Sequence, residues 1–169
     1  MGTTSLGLRY PASTDNYRPH TDIQNLASDT DAQILLKGWW ADGSRTSASG
    51  TFTTVETVLQ SLTFTAVANV KYEIIAIQSI QSTVAADSAT MKIRWATGPT
   101  VTSGGTQIDS KIAPCYTAGL GFPMTLLGYF TPGAGQVTVG ATAVRNIGTG
   151  TLSSFGSAAQ INTISAKGV

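Results

Sequence analysis

Met91-Lys92-Ile93-Arg94-Trp95 is the stretch of sequence that most clearly decides the fold. Its three apolar side chains alternate with two basic ones. Successive side chains of a β-strand point to opposite faces of the sheet, so this alternation is typical of a half-buried strand. We therefore predict a strand here, with the apolar face in the core and the basic face in water.

Outward from this stretch, short β-type segments are separated by Gly, Pro, Ser and Asn. Residues 137–143 repeat the alternation, with Val or Ala at the odd positions and Thr or Gly between them. The pattern predicts about eight strands, near 44–53, 57–66, 70–81, 89–97, 106–116, 123–131, 135–145 and 158–166. Strands spaced roughly 12 residues apart, without an internal repeat, indicate an all-β antiparallel sandwich, most simply a jelly roll.

The composition favours the same fold class. The chain has 169 residues, which is the size of one domain, and only 11% of them are charged; an average soluble domain has roughly 25%. Thr and Ser contribute 26 and 16 residues, and Gly contributes 18. Thr suits a pleated surface, while Ser and Gly favour turns, so strands and turns should dominate.

Charge and hydropathy exclude several kinds of partner. The formal net charge is +1, so the sequence offers no electrostatic attraction to nucleic acid. The longest apolar runs, such as 74–77, are far shorter than the roughly 20 residues that cross a bilayer, and residues 1–20 do not resemble an export signal. A single cysteine, Cys115, excludes an internal disulfide. We expect synthesis in a reducing cytoplasm and no membrane partner.

The chain is expected to have three parts. Residues 1–20 contain Gly and Pro without a sustained period and predict an extended arm. A short helix is predicted within 21–37, at about 21–35, and residues 38–169 form the β-sandwich body. Thr21 or Asp22 would cap the helix, because Ser, Thr, Asp and Asn are preferred there. Its apolar stripe should pack on the body or on a symmetry mate, and consists of Ile23, Leu26, Ala27 and Ile34.

Residues suited to catalysis are scarce. The only histidine, His20, lies between arm and helix, and Cys115 is better explained as a small hydrophobe of the core or an interface. Residues 110–169 contain no carboxylate, so a facing pair of acids is not indicated. Asp29 and Asp31 lack the Gly and closing Glu of a calcium loop, and Trp39-Trp40 is better explained by core and interface packing than by sugar stacking. We expect no catalytic residues, no metal and no cofactor.

The N-terminal stretch resembles a recurrent opening of small virion proteins from tailed bacteriophages of actinobacteria. The resemblance rests on Leu8-Arg9-Tyr10-Pro11, Thr14-Asp15, Pro19, Asp22 to Ala27, Asp29 and Asp31. It covers about 30 residues, and the body matches only in its Thr, Ser and Gly-rich style. Such proteins include head decoration or head-fibre proteins and minor tail proteins, and the resemblance does not separate these two groups.

From the resemblance and the charge-poor body we predict a structural protein on the virion surface, most simply a homotrimeric capsid decoration or head-fibre protein. Its partners would be the major capsid protein or tail proteins. The arm contains aromatic, aliphatic and arginine side chains, which bind well when a partner supplies a complementary surface. The predicted anchor consists of Leu8, Arg9, Tyr10, Pro11, Tyr17 and Arg18. Two alternatives stay open, namely a minor tail protein that binds a host-surface glycan and a small cell-wall hydrolase.

Overall fold

The computed structural model of the chain describes residues 2–3, 9–10, 23–27 and 40–169. In the N-terminal unit, β1 (Gly2–Thr3) pairs antiparallel with β2 (Arg9–Tyr10). Residues 23–27 form helix α1, which lies inside the predicted range of 21–35. The rest of the predicted helix and Ile34 lie outside the described residues.

The second unit is the β-body, in which residues 40–169 form two antiparallel sheets. One sheet has the order β5-β10-β7-β8. The other has the order β3-β12-β6-β11-β4, and β9 is its sixth strand, which pairs with β6. The strands are β3 (Trp40–Arg45), β4 (Thr51–Phe52), β5 (Thr57–Ala66), β6 (Tyr72–Ser82), β7 (Asp87–Thr97), β8 (Thr106–Cys115), β9 (Phe122–Phe130), β10 (Gly135–Ile147), β11 (Leu152–Phe155) and β12 (Asn162–Gly168).

The chain passes repeatedly from one sheet to the other, as in a jelly roll, so the predicted fold class is confirmed. The strand predicted at 57–66 has the observed bounds. The strand predicted at 44–53 is wrong as a single element, because residues 46–50 separate β3 from β4. Strand β11 was missed, since a four-residue segment with two serines carries too short an alternation to be recognised.

The core lies between the sheets and is built from the alternating side chains of both. Met91 and Ile93 are fully buried, as predicted, and Trp95 packs against Phe130 with ring centroids 5.0 Å apart. Leu126 and Ile164 face them from the six-stranded sheet side of the core. Burying a large aliphatic side chain contributes about 1.5–3 kcal/mol, so this continuous layer is the main source of stability.

The other face of β7 was predicted to be open to water, but the structure covers it. The Lys92 and Arg94 side chains are 19% and 14% exposed, and both bind Glu56, which precedes β5. The loop 98–105 also folds over this face, where Val101 is buried against Gly140. Tertiary structure thus covers a face that the alternation alone assigns to solvent.

The sandwich has two ends that differ in what they carry. The body begins at Trp40, and this end, the Trp40 end, also holds the loops 67–71, 98–105 and 131–134. The opposite end, the loop end, is built from 46–56, 83–86, 116–121, 148–151 and 156–161. Strand β6 has 11 residues and runs between the two ends, which places them about 35 Å apart.

Candidate functional site

A pocket of about 270 Å³ opens at the loop end, on the outer face of the six-stranded sheet. Its floor is a row of three polar side chains on neighbouring strands. Ser153 on β11 lies opposite Thr51 on β4 and opposite Gln81 on β6. The neighbouring residues Phe52 and Leu152 point the other way and are buried in the core, so the strand alternation itself turns this row outward.

The walls of the pocket come from loops that are tied together by backbone hydrogen bonds. Thr83 and Thr151 exchange hydrogen bonds, since the Thr83 amide donates to the Thr151 carbonyl at 3.1 Å and the Thr151 amide donates to Thr83 Oγ1 at 3.0 Å. The Gly119 amide donates to the Ser82 carbonyl at 2.8 Å and holds the 116–121 loop beside them. These bonds fix the wall before any ligand binds.

Several polar groups of the pocket have spare hydrogen-bonding capacity. Gln81 Nε2 donates to Ser153 Oγ at 3.0 Å. Gln81 Oε1 and the hydroxyls of Thr51 and Thr151 make no hydrogen bond to any of the residues the structure describes. The pocket lining contains hydroxyls, one carboxamide and a glycine, and no charged side chain. The site is therefore uncharged, and its hydroxyl and amide groups can donate and accept hydrogen bonds among the methyl and methylene groups of the same side chains.

A buried carboxylate supports the pocket from behind. Asp87 is 2% exposed and accepts hydrogen bonds from Ser82 Oγ at 2.5 Å, the Gly150 amide at 2.9 Å and the Thr149 amide at 3.2 Å. It joins the start of β7 to the loop that carries Thr151. Both carboxylate oxygens are occupied in this way, so Asp87 positions the wall rather than facing a ligand.

Large apolar side chains surround the pocket in the same loops. Tyr116 is 70% exposed and packs edge-on against Phe122 with ring centroids 5.5 Å apart. Leu120 is 53% exposed and Val84 is 43% exposed. Exposed large hydrophobics that cluster on one end of a small domain are typical of an interaction surface. Three more occur at this end, namely Val55, Ile147 and Ile161.

No protein-family model and no curated protein matches the sequence. The fold is similar to solved structures. One is Eiger TNF from S. frugiperda, with a TM-score of 0.50 and 9% identity, covering 79% of this chain and 93% of that one. Another is the VP2 subviral particle of infectious bursal disease virus, with a TM-score of 0.43 and 10% identity, covering 79% of this chain and 37% of VP2.

A third similar structure is the insecticidal delta-endotoxin Cry8Ea1 from Bacillus thuringiensis, with a TM-score of 0.41 and 14% identity. The match covers 75% of this chain and 19% of the toxin. The chain thus spans about a third of VP2 and a fifth of the toxin. At these identities the similarity concerns the fold alone.

A second notable cluster lies on the four-stranded sheet, around Glu56. Lys92 Nζ lies 2.8 Å from Glu56 Oε2, Arg94 binds the same carboxylate, and Thr142 Oγ1 donates to Oε1 at 2.6 Å. Burial by itself would raise the pKa of Glu56, but the hydrogen bonds from Arg94, Lys92 and Thr142 outweigh it and lower the pKa to about 2. The carboxylate is ionised and fully occupied, so it holds the start of β5 on the sheet.

A third surface lies on the outer face of the six-stranded sheet, where β6 pairs with β9. Ile77 is 36% exposed, Leu127 is 44% exposed and Tyr129 is 47% exposed. We call these three residues the sheet patch. At its Trp40 end, Tyr129 donates to Glu73 Oε2 at 2.8 Å, and the Lys71 ammonium lies 4.6 Å from the Tyr129 ring centroid.

The structure locates only some of the residues predicted to form the anchor and the helix stripe. Arg9 and Tyr10 form β2, and Ile23, Leu26 and Ala27 lie together on α1. Within the described chain Ile23 is 66% exposed and Leu26 is 45% exposed, so the surface that would cover the stripe stays a prediction. The other predicted residues lie outside the described ones, and these are Leu8, Pro11, Tyr17, Arg18 and Ile34.

The remaining candidates are placed as follows. Cys115 is fully buried in the core, where burial and then the nearby charge of Asp87 raise the pKa of its thiol. His20, Asp29, Asp31 and Trp39 lie outside the described residues. Among the residues that are described, no three His, Cys, Asp or Glu side chains come together as a metal site. No helix in the described ranges is long and apolar enough to span a membrane.

The loop-end pocket is not predictable from the sequence. Its Thr, Ser and Gln residues belong to types that are abundant throughout the chain, so their identity carries no signal. They come together only because β4, β6 and β11 are neighbours in one sheet while being distant in sequence. The sequence signal nearest to the pocket is Tyr116, an aromatic residue just before the Gly-containing segment 117–121.

Proposed function

We propose that the chain is a structural protein of a bacteriophage particle, a homotrimeric capsid decoration or head-fibre protein exposed on the virion surface. Its N-terminal arm attaches it to the major capsid protein or to tail proteins. The resemblance of the N-terminal stretch to phage virion proteins supports a location in a phage particle. The jelly-roll body is consistent with a compact module that is attached to a larger assembly.

The sheet patch is the main structural support for self-association. Ile77, Leu127 and Tyr129 form one continuous apolar surface across two paired strands, and the partly buried Ile75 lies beside Leu127 in the same register. The neighbouring strand β12 adds small polar side chains at Thr163 and Ser165. This face has apolar residues at its centre, and the charges of Glu73 and Lys71 lie at its Trp40 end, so its centre can pack on a copy of itself without burying unpaired ions.

The oligomeric state is tested with the full chain at micromolar concentration, by native mass spectrometry. We expect a trimer that the Leu127→Lys variant dissociates, because a lysine in the centre of an interface leaves a buried, unpaired charge. The matched control is Ile112→Lys, since Ile112 is 58% exposed on the other sheet. A monomeric wild type, or equal effects of the two variants, contradicts the proposal.

The location is tested on phage particles, by labelling and electron microscopy. We expect the protein at regular positions on the capsid surface, and we expect deletion of residues 1–19 to abolish attachment while the body stays folded and oligomeric. Attachment of the truncated protein at the level of the full chain would place the anchor in the β-body. A signal confined to the tail would favour the second candidate, a minor tail protein that binds a host-surface glycan, which the loop-end pocket supports.

The carboxylates of the body support a non-enzymatic role. The two best-buried carboxylates of the body, those of Glu56 and Asp87, are occupied by hydrogen bonds from their neighbours. We therefore propose that the chain acts by binding and assembly. Hydrolysis of peptidoglycan, polysaccharide or simple esters that is lost in His20→Ala would overturn this proposal.

A further inference from the structure

We infer that the loop-end pocket is a binding site for a neutral saccharide, with Gln81, Thr51 and Thr151 making the polar contacts. The inference goes beyond the proposed structural role and does not depend on where in a particle the protein sits. It rests on the lining of the pocket, on its unused hydrogen-bonding groups and on its position.

The lack of charged side chains in the lining favours an uncharged ligand. The lining residues carry no formal charge, and the nearby Asp87 is saturated by Ser82 and two backbone amides. A charged ligand would lose hydration on entering the pocket without gaining a counter-ion, which is unfavourable. A neutral ligand does not incur this cost.

The unused hydrogen-bonding groups select a polar ligand with several hydroxyls. Gln81 Oε1 accepts, and the hydroxyls of Thr51 and Thr151 can donate and accept. An apolar ligand would cover these groups without partners, at a cost for each one. A sugar ring carries several hydroxyls around its rim, so a single ligand can pair with more than one of these groups.

The size and surroundings of the pocket fit a single sugar residue of a longer glycan. Sites for drug-sized ligands have volumes of roughly 300–1,000 Å³, and this pocket, at about 270 Å³, lies just below that range. The exposed Tyr116, Leu120 and Val84 in the adjoining loops offer apolar surface to the C–H faces of neighbouring sugars. The pocket also lies at the end of the body opposite Trp40, where it faces away from the start of the body.

The inference is tested with the full chain on a glycan array that carries neutral and acidic glycans, followed by titration with glucose, galactose, mannose, N-acetylglucosamine and glucuronate. We expect binding to at least one neutral sugar, with little dependence on salt, because no ion pair is involved. Thr151→Val keeps the shape of the side chain and removes its hydroxyl. Combined with Gln81→Leu, it should weaken binding about tenfold or more, as expected for the loss of two hydrogen bonds.

The matched control is Thr65→Val, because Thr65 is an exposed threonine on β5 in the other sheet. It should leave binding unchanged, and the oligomeric state should be the same in all variants. Three results would each overturn the inference: no neutral sugar binds at millimolar concentration, only acidic glycans bind and do so in a salt-dependent manner, or the variant that combines Thr151→Val with Gln81→Leu binds as well as Thr65→Val. None of these results affects the particle assignment, so the two proposals fail separately.

Discussion

Gln78 on β6 donates a 2.8 Å hydrogen bond to Gln60 Oε1 on β5, and this bond joins the two sheets through the interior of the sandwich. Gln78 is fully buried. Gln60 continues the connection by donating to the Gly43 carbonyl at 2.9 Å, and Ser154 adds a longer contact to Gln78. An amide pair in this position fixes the sheets relative to each other, because each group is satisfied only in this alignment.

Replacing Gln78 with leucine should therefore destabilise the fold. Gln60 Oε1 would be left without its donor in a partly buried position, at a cost of about 1–3 kcal/mol in the free energy of unfolding. Urea denaturation measures the change, and Gln107→Leu, at an exposed position of β8, is the control. A double-mutant cycle with Gln60→Leu should give a coupling of at least about 0.5 kcal/mol. Additive single effects would show that the pair does not act as a unit.

The Glu56 cluster should make stability depend on acid pH. The pKa of Glu56 is about 2 in the fold against 4.5 for an unperturbed glutamate. A lowered carboxyl pKa stabilises the fold above the unfolded pKa, and the contribution is lost as the pH falls from about 5 towards 2. Its full size is roughly 3 kcal/mol, since one pKa unit corresponds to about 1.4 kcal/mol.

Comparing the wild type with Glu56→Gln isolates this group, because the other carboxylates titrate in both proteins. We expect the wild type to be more stable at pH 7 and the difference to shrink as the pH approaches 2. Chemical denaturation at several pH values measures it. A difference that does not change with pH would assign the stabilisation to packing instead of charge.

Replacing Ala86 with glycine should stabilise the fold. Its φ is 65°, in the left-handed region, where a Cβ costs about 1–2 kcal/mol. Glycine removes that cost but gains freedom in the unfolded chain, which leaves a net stabilisation of about 0.5–1 kcal/mol. Thermal denaturation against Ala85→Gly is the matched test, since the neighbouring alanine does not have a positive φ. Equal effects at the two positions would contradict the explanation.

Gly148 should not tolerate alanine. Its φ is 107°, and a Cβ at this position would overlap the Asp87 carboxylate, which holds the pocket wall. We expect Gly148→Ala to lower the free energy of unfolding by about 2 kcal/mol or more. Gly133→Ala is the control, because Gly133 has no neighbouring atom within 4 Å of the added carbon. A neutral Gly148→Ala would mean that the loop and Asp87 can separate at little cost.

The sequence by itself determined the strands and the faces they turn inward. The alternation at 91–95 and 137–143 involves residues that are adjacent along the chain. Because side chains of a strand alternate with a period of two, it can be recognised without knowing the partner strand. Hence Met91 and Ile93 lie in the core as predicted, and most predicted strands are observed within a few residues. The short strands β4 and β11 have too few residues to show a period.

Only the tertiary structure decided which strands are neighbours, and with them the functional surfaces. Glu56 meets Arg94 across 38 positions of sequence, which turns a face predicted to be wet into a partly buried ion cluster. Thr51, Gln81 and Ser153 become adjacent only through the pairing of β4, β11 and β6. Such long-range pairings result from how the whole core packs, so a pocket made of common Thr, Ser and Gln residues leaves no local pattern in the sequence.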